Sequence, residues 1–414
     1  MNHADALPLQ LNERADILDS LRGFALLGVL LDNLFGFTGW AFLNMQQREA
    51  LPTWPLDGIL GMAELAFIHG KFYSIFSLLF GIGFSVILIR NEQRGINPLK
   101  IFYRRLLMLA IIGAGHLLLI WEGDILFLYA LVGMLLPLFR NCSNRTVLIW
   151  AITLILCPIV IDVIRVIFQL SPGKFLYEQA VLIDAKNNLP TDSSLSQYIY
   201  TSTDSWMHWR KWIEPGFFYR YADLLNGNRI PKVLGMFLFG FYAGRRMMYI
   251  NLQDHISLFK KLLKWGFIIG IPAGIATAIF EVDEKSVPKV VGLIDTVLYA
   301  VSVVPLCLAY VSAICLQWIK KEGNTKWKLL APVGRMALTN YLMQSAIGII
   351  LFYGVGFGLG GDIGPSLYFP IGICIYILQI LYSTWWMKHF NYGPFEWIWR
   401  MLTYWKWLPI RKQK

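Results

Sequence analysis

The chain has 414 residues, of which 56% are apolar and only 15% charged, and its mean hydropathy is +0.52. Soluble domains carry about 25% charged residues, so this balance excludes a soluble globular protein and points to a multi-pass membrane protein. The net charge of +11 is spread through loops rather than gathered on one face, which argues against a nucleic-acid partner.

The N-terminus is polar up to about Asp16, and no small-residue cleavage site follows a short apolar core, so the first apolar stretch is expected to be retained. With about 20 apolar residues as the measure of one crossing, about ten helices are expected. They lie near 17–41, 70–89, 103–121, 124–139, 147–169, 231–249, 263–281, 291–319, 331–358 and 367–388. The fold class is therefore all-α, a polytopic membrane helix bundle. Only Glu122 and Gly123 separate the third and fourth stretches, which requires a tight hairpin. Sixteen Trp, nineteen Tyr and twenty-seven Phe suit interfacial aromatic belts and helix packing. The five cysteines show no CxxC spacing, so neither a disulfide framework nor a metal site is expected.

Lysine and arginine set the orientation. Arg90, Arg94, Lys100, Arg104 and Arg105 follow the second stretch, Arg140 and Arg145 the fourth, and Arg245, Arg246, Lys260, Lys261 and Lys264 the sixth. Lys320, Lys321, Lys326, Lys328 and Arg335 follow the eighth, while the loops after the third and ninth stretches carry none. Even-numbered helices are thus expected to end in the cytoplasm, with both termini inside. The chain divides into a five-helix half at 1–169, an extracytoplasmic loop at 170–230, and a second five-helix half with a basic tail at 231–414. The loop contains Trp206, Trp209 and Trp212, and serves either as a lid over a polar cavity or as an interfacial anchor.

Polar groups within the apolar stretches mark where chemistry can occur, because ionisable side chains in a bilayer almost always face a protein interior or a wet cavity. The first helix carries Asp19, Arg22, Asp32 and Asn33. The third carries His116, followed at the turn by Glu122 and Asp124, either of which can orient the imidazole and raise its basicity as a general base requires. With a rise of about 1.5 Å per residue, His116 and Asn33 lie at a similar depth. His69 is a competing base at the outer end of the second helix. Asp19 and Arg22, at i and i+3, suit a structural ion pair as well as a phosphate pocket shared with Arg104, Arg105 and Arg335. Asn340 and Gln344, at i and i+4, either line a common cavity with Asp32 or bind helices together. Glu396 and Arg400 have the spacing of a structural pair.

The first-helix pattern Asp19-x-x-Arg22-Gly23-x-Ala25, followed by Asn33, resembles the motif of the heparan-alpha-glucosaminide N-acetyltransferase group of membrane enzymes. The chain as a whole resembles the bacterial YeiB-like family, a branch grouped with transmembrane acyltransferases. The segments that carry this likeness are HGKFYSIFSLLFGIGF, RRLLMLAIIGAGHLLLIWEGDILFLYALVG, IPKVLGMFLFGFYAGR, GRMALTNYLMQS and GPFEWIWR. The resemblance implies a bundle of about ten helices in the bacterial cytoplasmic membrane. It implies acyl-CoA, acetyl-CoA among them, as donor on the cytoplasmic side, and an outward-facing acceptor such as an envelope sugar. Asn33 matches an active-site asparagine, Asp19 and Arg22 the signature pair, and His69 lies nearest the place of that group's catalytic histidine. The expected partners are the lipid bilayer, acyl-CoA and the acceptor, with room for a homo-oligomer. A transporter using the same polar groups as a substrate path is the alternative. It lacks support from any internal repeat or matched pair of Gly/Pro-broken helices.

Overall fold

The computed structural model describes residues 15–95, 97–190, 198–200, 205–280 and 290–412. Its main helices are α1 (Asp16–Phe37), α2 (Leu56–Phe67), α3 (Lys71–Gln93), α4 (Pro98–Leu119), α5 (Leu126–Gly133), α6 (Asn144–Phe168) and α7 (Lys174–Asn187). They continue as α8 (Ser205–Asn226), α9 (Arg229–Arg245), α10 (Ile256–Ile279), α11 (Val290–Lys320), α12 (Ala337–Phe352), α13 (Pro365–His389) and α14 (Pro394–Tyr404). Among the described residues the strand-like pairing is a single isolated bridge, between Phe390 and Arg411. The protein is an all-α bundle.

Local sequence accounts for where several helices begin. The Asn97 side chain accepts from Leu99 N ahead of Pro98 at the start of α4, and Ser143 Oγ accepts from Thr146 N at the start of α6. Asp16 and Asp19 occupy the first turn of α1, where the helix dipole favours negative charge.

Among the described residues, seven helical stretches are long and apolar enough to cross a membrane, with shorter apolar ones at Leu126–Phe139 and Ala337–Phe352. This marks a multi-pass membrane protein. Over the described residues the expected apolar segments are helical, with three departures. The sixth is only 17 residues long, as α9. The ninth is interrupted at Met336, between a short helix at Ala331–Arg335 and α12. An apolar helix not foreseen, α2, precedes α3 and packs on α10 and α13. The segment expected as a loop at 170–230, of which residues 191–197 and 201–204 lie outside the described residues, is largely helical where described, with α7 and α8 packed on each other.

Helices α3 and α9 pack closely, because glycines let the backbones meet. A Cβ on Gly81 would lie 1.9 Å from Phe237 O, and one on Gly240 1.9 Å from Leu78 O. Chain direction gathers Asp16, Gln93, Pro98, Arg245, Lys320 and Arg335 at one end of the bundle, called here the basic end. Arg335 Nη2 to Asp16 Oδ1 (2.6 Å) and Arg245 Nη1 to Cys142 O (2.7 Å) tie it together. Phe37, Lys71, Leu119, Arg229 and Phe352 lie at the far end, closed by Gly361 N donating to Thr38 O at 2.8 Å. There α8 sits over the turn between α4 and α5, with Arg220 donating to the carbonyls of Gly123 and Asp124.

Candidate functional site

A cavity of about 690 Å³ runs into the bundle between α1, α3, α4, α12 and α14. Its mouth, at the basic end, holds Asp16, Asp19, Arg22, Arg105, Arg335 and Arg400. Its shaft is apolar, with Leu26, Val29, Phe76, Phe80, Leu106 and Leu109. At the inner end stand Tyr73, Tyr129 and Tyr341, all buried. A charged mouth on an apolar shaft fits an amphiphile: an anionic head with a long, thin body.

The mouth charges are organised. Arg22 Nη1 donates to Asp19 Oδ1 at 2.5 Å, while Arg335 reaches Asp16 Oδ1 at 2.6 Å and Asp19 Oδ2 at 3.3 Å. Arg105 stacks on Trp399 at 3.9 Å and Arg400 on Tyr392 at 5.1 Å. Glu396, expected to pair with Arg400, instead accepts from Leu338 N at 2.6 Å and from Thr339 N and Oγ1 at 3.1 and 2.6 Å, capping α12. Burial pushes its carboxyl above the usual carboxylate range, against those hydrogen bonds. Arg104 does not join the pocket expected of it. It stacks on Trp405 at 5.6 Å, because neighbouring residues on a helix point about 100° apart and Arg105 takes the inward face.

Beyond the inner end lie two histidine–aspartate pairs. His116 Nδ1 is 2.8 Å from Asp124 Oδ2, and its Nε2 is 2.8 Å from Ser345 Oγ. A carboxylate only accepts, so Nδ1 carries the proton and the serine hydroxyl donates to Nε2. Asp124 Oδ1 accepts from Phe127 N at 2.7 Å, so the same carboxylate starts α5. This group is sealed, with the imidazole 0% and the carboxylate 1% exposed. The second pair is open: His69 Nδ1 lies 2.9 Å from Asp32 Oδ1, with side chains 43% and 24% exposed at the far end. Close by, Lys71 is buried and donates to Leu65 O at 2.8 Å, and Arg229 stacks on Tyr73 at 4.5 Å.

Asp124 therefore orients His116, and Glu122 does not. Glu122 lies in the turn under α8, where a Cβ on Gly216 would come within 2.7 Å of its own Cβ. Burial there pushes its carboxyl up to about 7, opposed by the nearby Arg220. Asn33 is partly buried and, among the described residues, makes no hydrogen bond to His116. It lies on α1 one turn past Val29, the last residue of that helix to line the cavity, and does not itself line it.

Asn340 and Gln344 do not line the cavity, and Asp32 turns to His69 instead. Asn340 Nδ2 donates to Ser383 Oγ at 2.9 Å, Gln344 Nε2 to Gln379 Oε1 at 2.9 Å, and Gln379 Nε2 to Asn340 O at 3.0 Å. In apolar surroundings polar side chains find their partners on neighbouring helices, so these residues join α12 to α13. Ser345 and the three tyrosines escaped sequence reasoning. Ser345 stands next to Gln344 in the quoted GRMALTNYLMQS segment, and nothing local marks it as the partner of a histidine 229 positions away.

Residues 243–406 match the family described as "Protein of unknown function (DUF418)". Over 422 aligned residues the chain is 32% identical to "Uncharacterized protein YxaH" of Bacillus subtilis (strain 168), covering 98% of each chain. It is 28% identical over 411 residues to "Uncharacterized protein YeiB" of Escherichia coli (strain K12), covering 94% of this chain and 96% of that one. A similar likeness, 28% over 417 residues, extends to an "Uncharacterized 39.9 kDa protein in amylase 3'region" of Bacillus acidopullulyticus, covering 98% and 99%.

Proposed function

The chain belongs to the YeiB-like family, with a DUF418 match over its C-terminal part, and from that premise we propose that it is a membrane acyltransferase. It takes an acyl group from acyl-CoA at the basic end and passes it to an acceptor approaching from the far end. The lysine and arginine bias favours a cytoplasmic basic end, and bacterial relatives suit the inner membrane. The observation that carries the reading is the cavity, whose mouth has four arginines against two carboxylates, with the third lining carboxylate, Glu396, committed to capping α12.

Arg22 and Arg335 are held in place by Asp16 and Asp19. A phosphate entering between them meets guanidinium groups already aimed at it. The pantetheine arm and acyl group then lie along the apolar shaft. From Arg105 to His116 is eleven residues of α4, about 16 Å, so the thioester of a donor anchored at the mouth comes to the level of the tyrosines. There His116, with Asp124 on Nδ1, carries the proton. Asn33, one turn beyond the cavity-lining Val29 on α1, donates to the oxyanion that develops on the attacked carbonyl. The exposed Asp32–His69 pair receives the acceptor, an alcohol or amine such as an envelope sugar, from the far side.

Calorimetry on the full chain in nanodiscs tests the donor site. Acyl-CoA binds, and Arg22→Ala with Arg335→Ala weakens it at least tenfold. Equal binding by that double variant, or none by the wild type, refutes the reading. The rival permease reading draws on Tyr73, which lines the cavity and also contacts Arg229 of the far-end polar cluster. Solute uptake by proteoliposomes without acyl-CoA consumption would favour it.

A further inference from the structure

Building on the acyl-transfer reading, we infer that Ser345 is the first acceptor of the acyl group, so that transfer runs through an acyl-serine on α12. Asp124 occupies Nδ1 of His116 and Ser345 Oγ occupies Nε2, each at 2.8 Å. No ring nitrogen is left for an incoming alcohol or amine. The hydroxyl that His116 can deprotonate in this geometry is the serine's.

A hydroxyl bonded to an imidazole that is itself held by a carboxylate is the arrangement that activates a serine nucleophile, and it is recognised by geometry rather than by order in the chain. Here α12, α4 and the α4–α5 turn supply the three groups. The aspartate is fixed from two sides, by Phe127 N on its side chain and by Arg220 on its carbonyl. Burial keeps bulk water away, which protects an ester intermediate from hydrolysis. Access is through Tyr341, one turn before Ser345. Tyr341 lines the inner end of the cavity and its ring centroid is 5.2 Å from that of His116. Swinging that ring aside connects the shaft with the serine.

The chemistry balances in two halves. In the first, Ser345 Oγ bonds to the thioester carbonyl carbon while its proton passes to His116 Nε2. The carbon–sulfur bond breaks, and the thiolate leaves with that proton as CoA thiol. In the second, the acceptor gives its proton to Nε2 and attacks the ester carbonyl. The carbon–Oγ bond then breaks and Ser345 recovers the proton. Nothing is oxidised or reduced.

The test uses the full chain in nanodiscs with an alkyl fluorophosphonate, which phosphonylates an activated serine with loss of fluoride, and acyl-CoA in parallel. The wild type gains one adduct, mapped by peptide mass spectrometry to Ser345. His116→Ala slows labelling by about 10²-fold or more, and Tyr341→Ala speeds it by opening the path. Equal labelling of Ser345→Ala, or no adduct in either the wild type or Tyr341→Ala, overturns the assignment. If Ser345→Ala transfers acyl groups at the wild-type rate, the covalent step is refuted while acyl transfer stands. If the wild type labels at Ser345 but consumes no acyl-CoA, acyl transfer is refuted while the nucleophile stands. Should Ser345→Ala not fold, Ser345→Cys decides. Its trapped acyl group becomes a thioester released by neutral hydroxylamine, and a hydroxylamine-resistant adduct overturns the proposal.

Discussion

Two glycines of α3, two residues apart, are expected to respond oppositely to substitution. A Cβ built on Gly83, which lines the cavity, meets nothing within 4 Å. Gly83→Ala should therefore gain the usual helix-interior advantage over glycine, about 0.5–1 kcal/mol. Gly83→Phe keeps the backbone unstrained and projects a ring into the shaft. If the ring displaces about 100 Å² of apolar ligand contact at about 25 cal/mol per Å², donor binding falls by about 2.5 kcal/mol, roughly 60-fold in Kd. Gly81 faces the other way, where a Cβ would lie 1.9 Å from Phe237 O. Backbone cannot swing aside as a flexible side chain can, so Gly81→Ala should cost about 1–3 kcal/mol by separating α3 from α9. Thermal unfolding in detergent, followed by tryptophan fluorescence, reads the stability differences, and calorimetry with acyl-CoA reads the binding. Unimpaired donor binding by Gly83→Phe would show that the ligand does not use this shaft. Destabilisation by Gly83→Ala as large as that by Gly81→Ala would refute the packing argument.

Glu122 should make stability pH-dependent. Its carboxyl rises from 4.5 to about 7 in the folded protein, so the folded state holds the proton more tightly. The stability it confers is full below about pH 4.5 and is lost as pH rises to about 7, a difference of about 3 kcal/mol. Glu122→Gln should flatten the unfolding temperature between pH 5 and pH 8, chiefly by raising it at pH 8; an unchanged profile contradicts the burial of this group. Glu396→Ala removes the acceptor for two backbone N–H groups and a buried hydroxyl at the start of α12, and should cost about 2–4 kcal/mol. Glu396→Gln, which keeps a carbonyl, should cost less, and equal melting of the two variants would argue against the cap. His69→Ala should raise the KM for the acceptor more than it lowers kcat, since that pair faces the far side; a pure kcat defect in steady-state assays would put His69 in the proton transfer.

Helical segments were legible because a bilayer crossing is a one-dimensional property, the length of an apolar run. Short α5 and buried α9 test that rule, being apolar and helical yet below crossing length. Helix α2 escaped because a 12-residue helix falls short of the span used to find crossings. Single polar residues stood out against apolar neighbours, and Arg22, Arg105, Arg335, His116 and Asp124 all lie at the cavity or one layer behind it.

The sequence alone determined that the chain is an all-α membrane bundle with charged and amide groups inside its helices, because apolar length and the cost of buried charge do not depend on which helix meets which. Tertiary structure alone decided the company each group keeps. Asn340 and Gln344 are spaced like cavity residues yet bind α13, Arg104 turns to Trp405 while Arg105 turns inward, and Ser345 meets His116 across 229 residues. Helical periodicity places a side chain on a face, and only the packing of one helix against another fixes what that face touches.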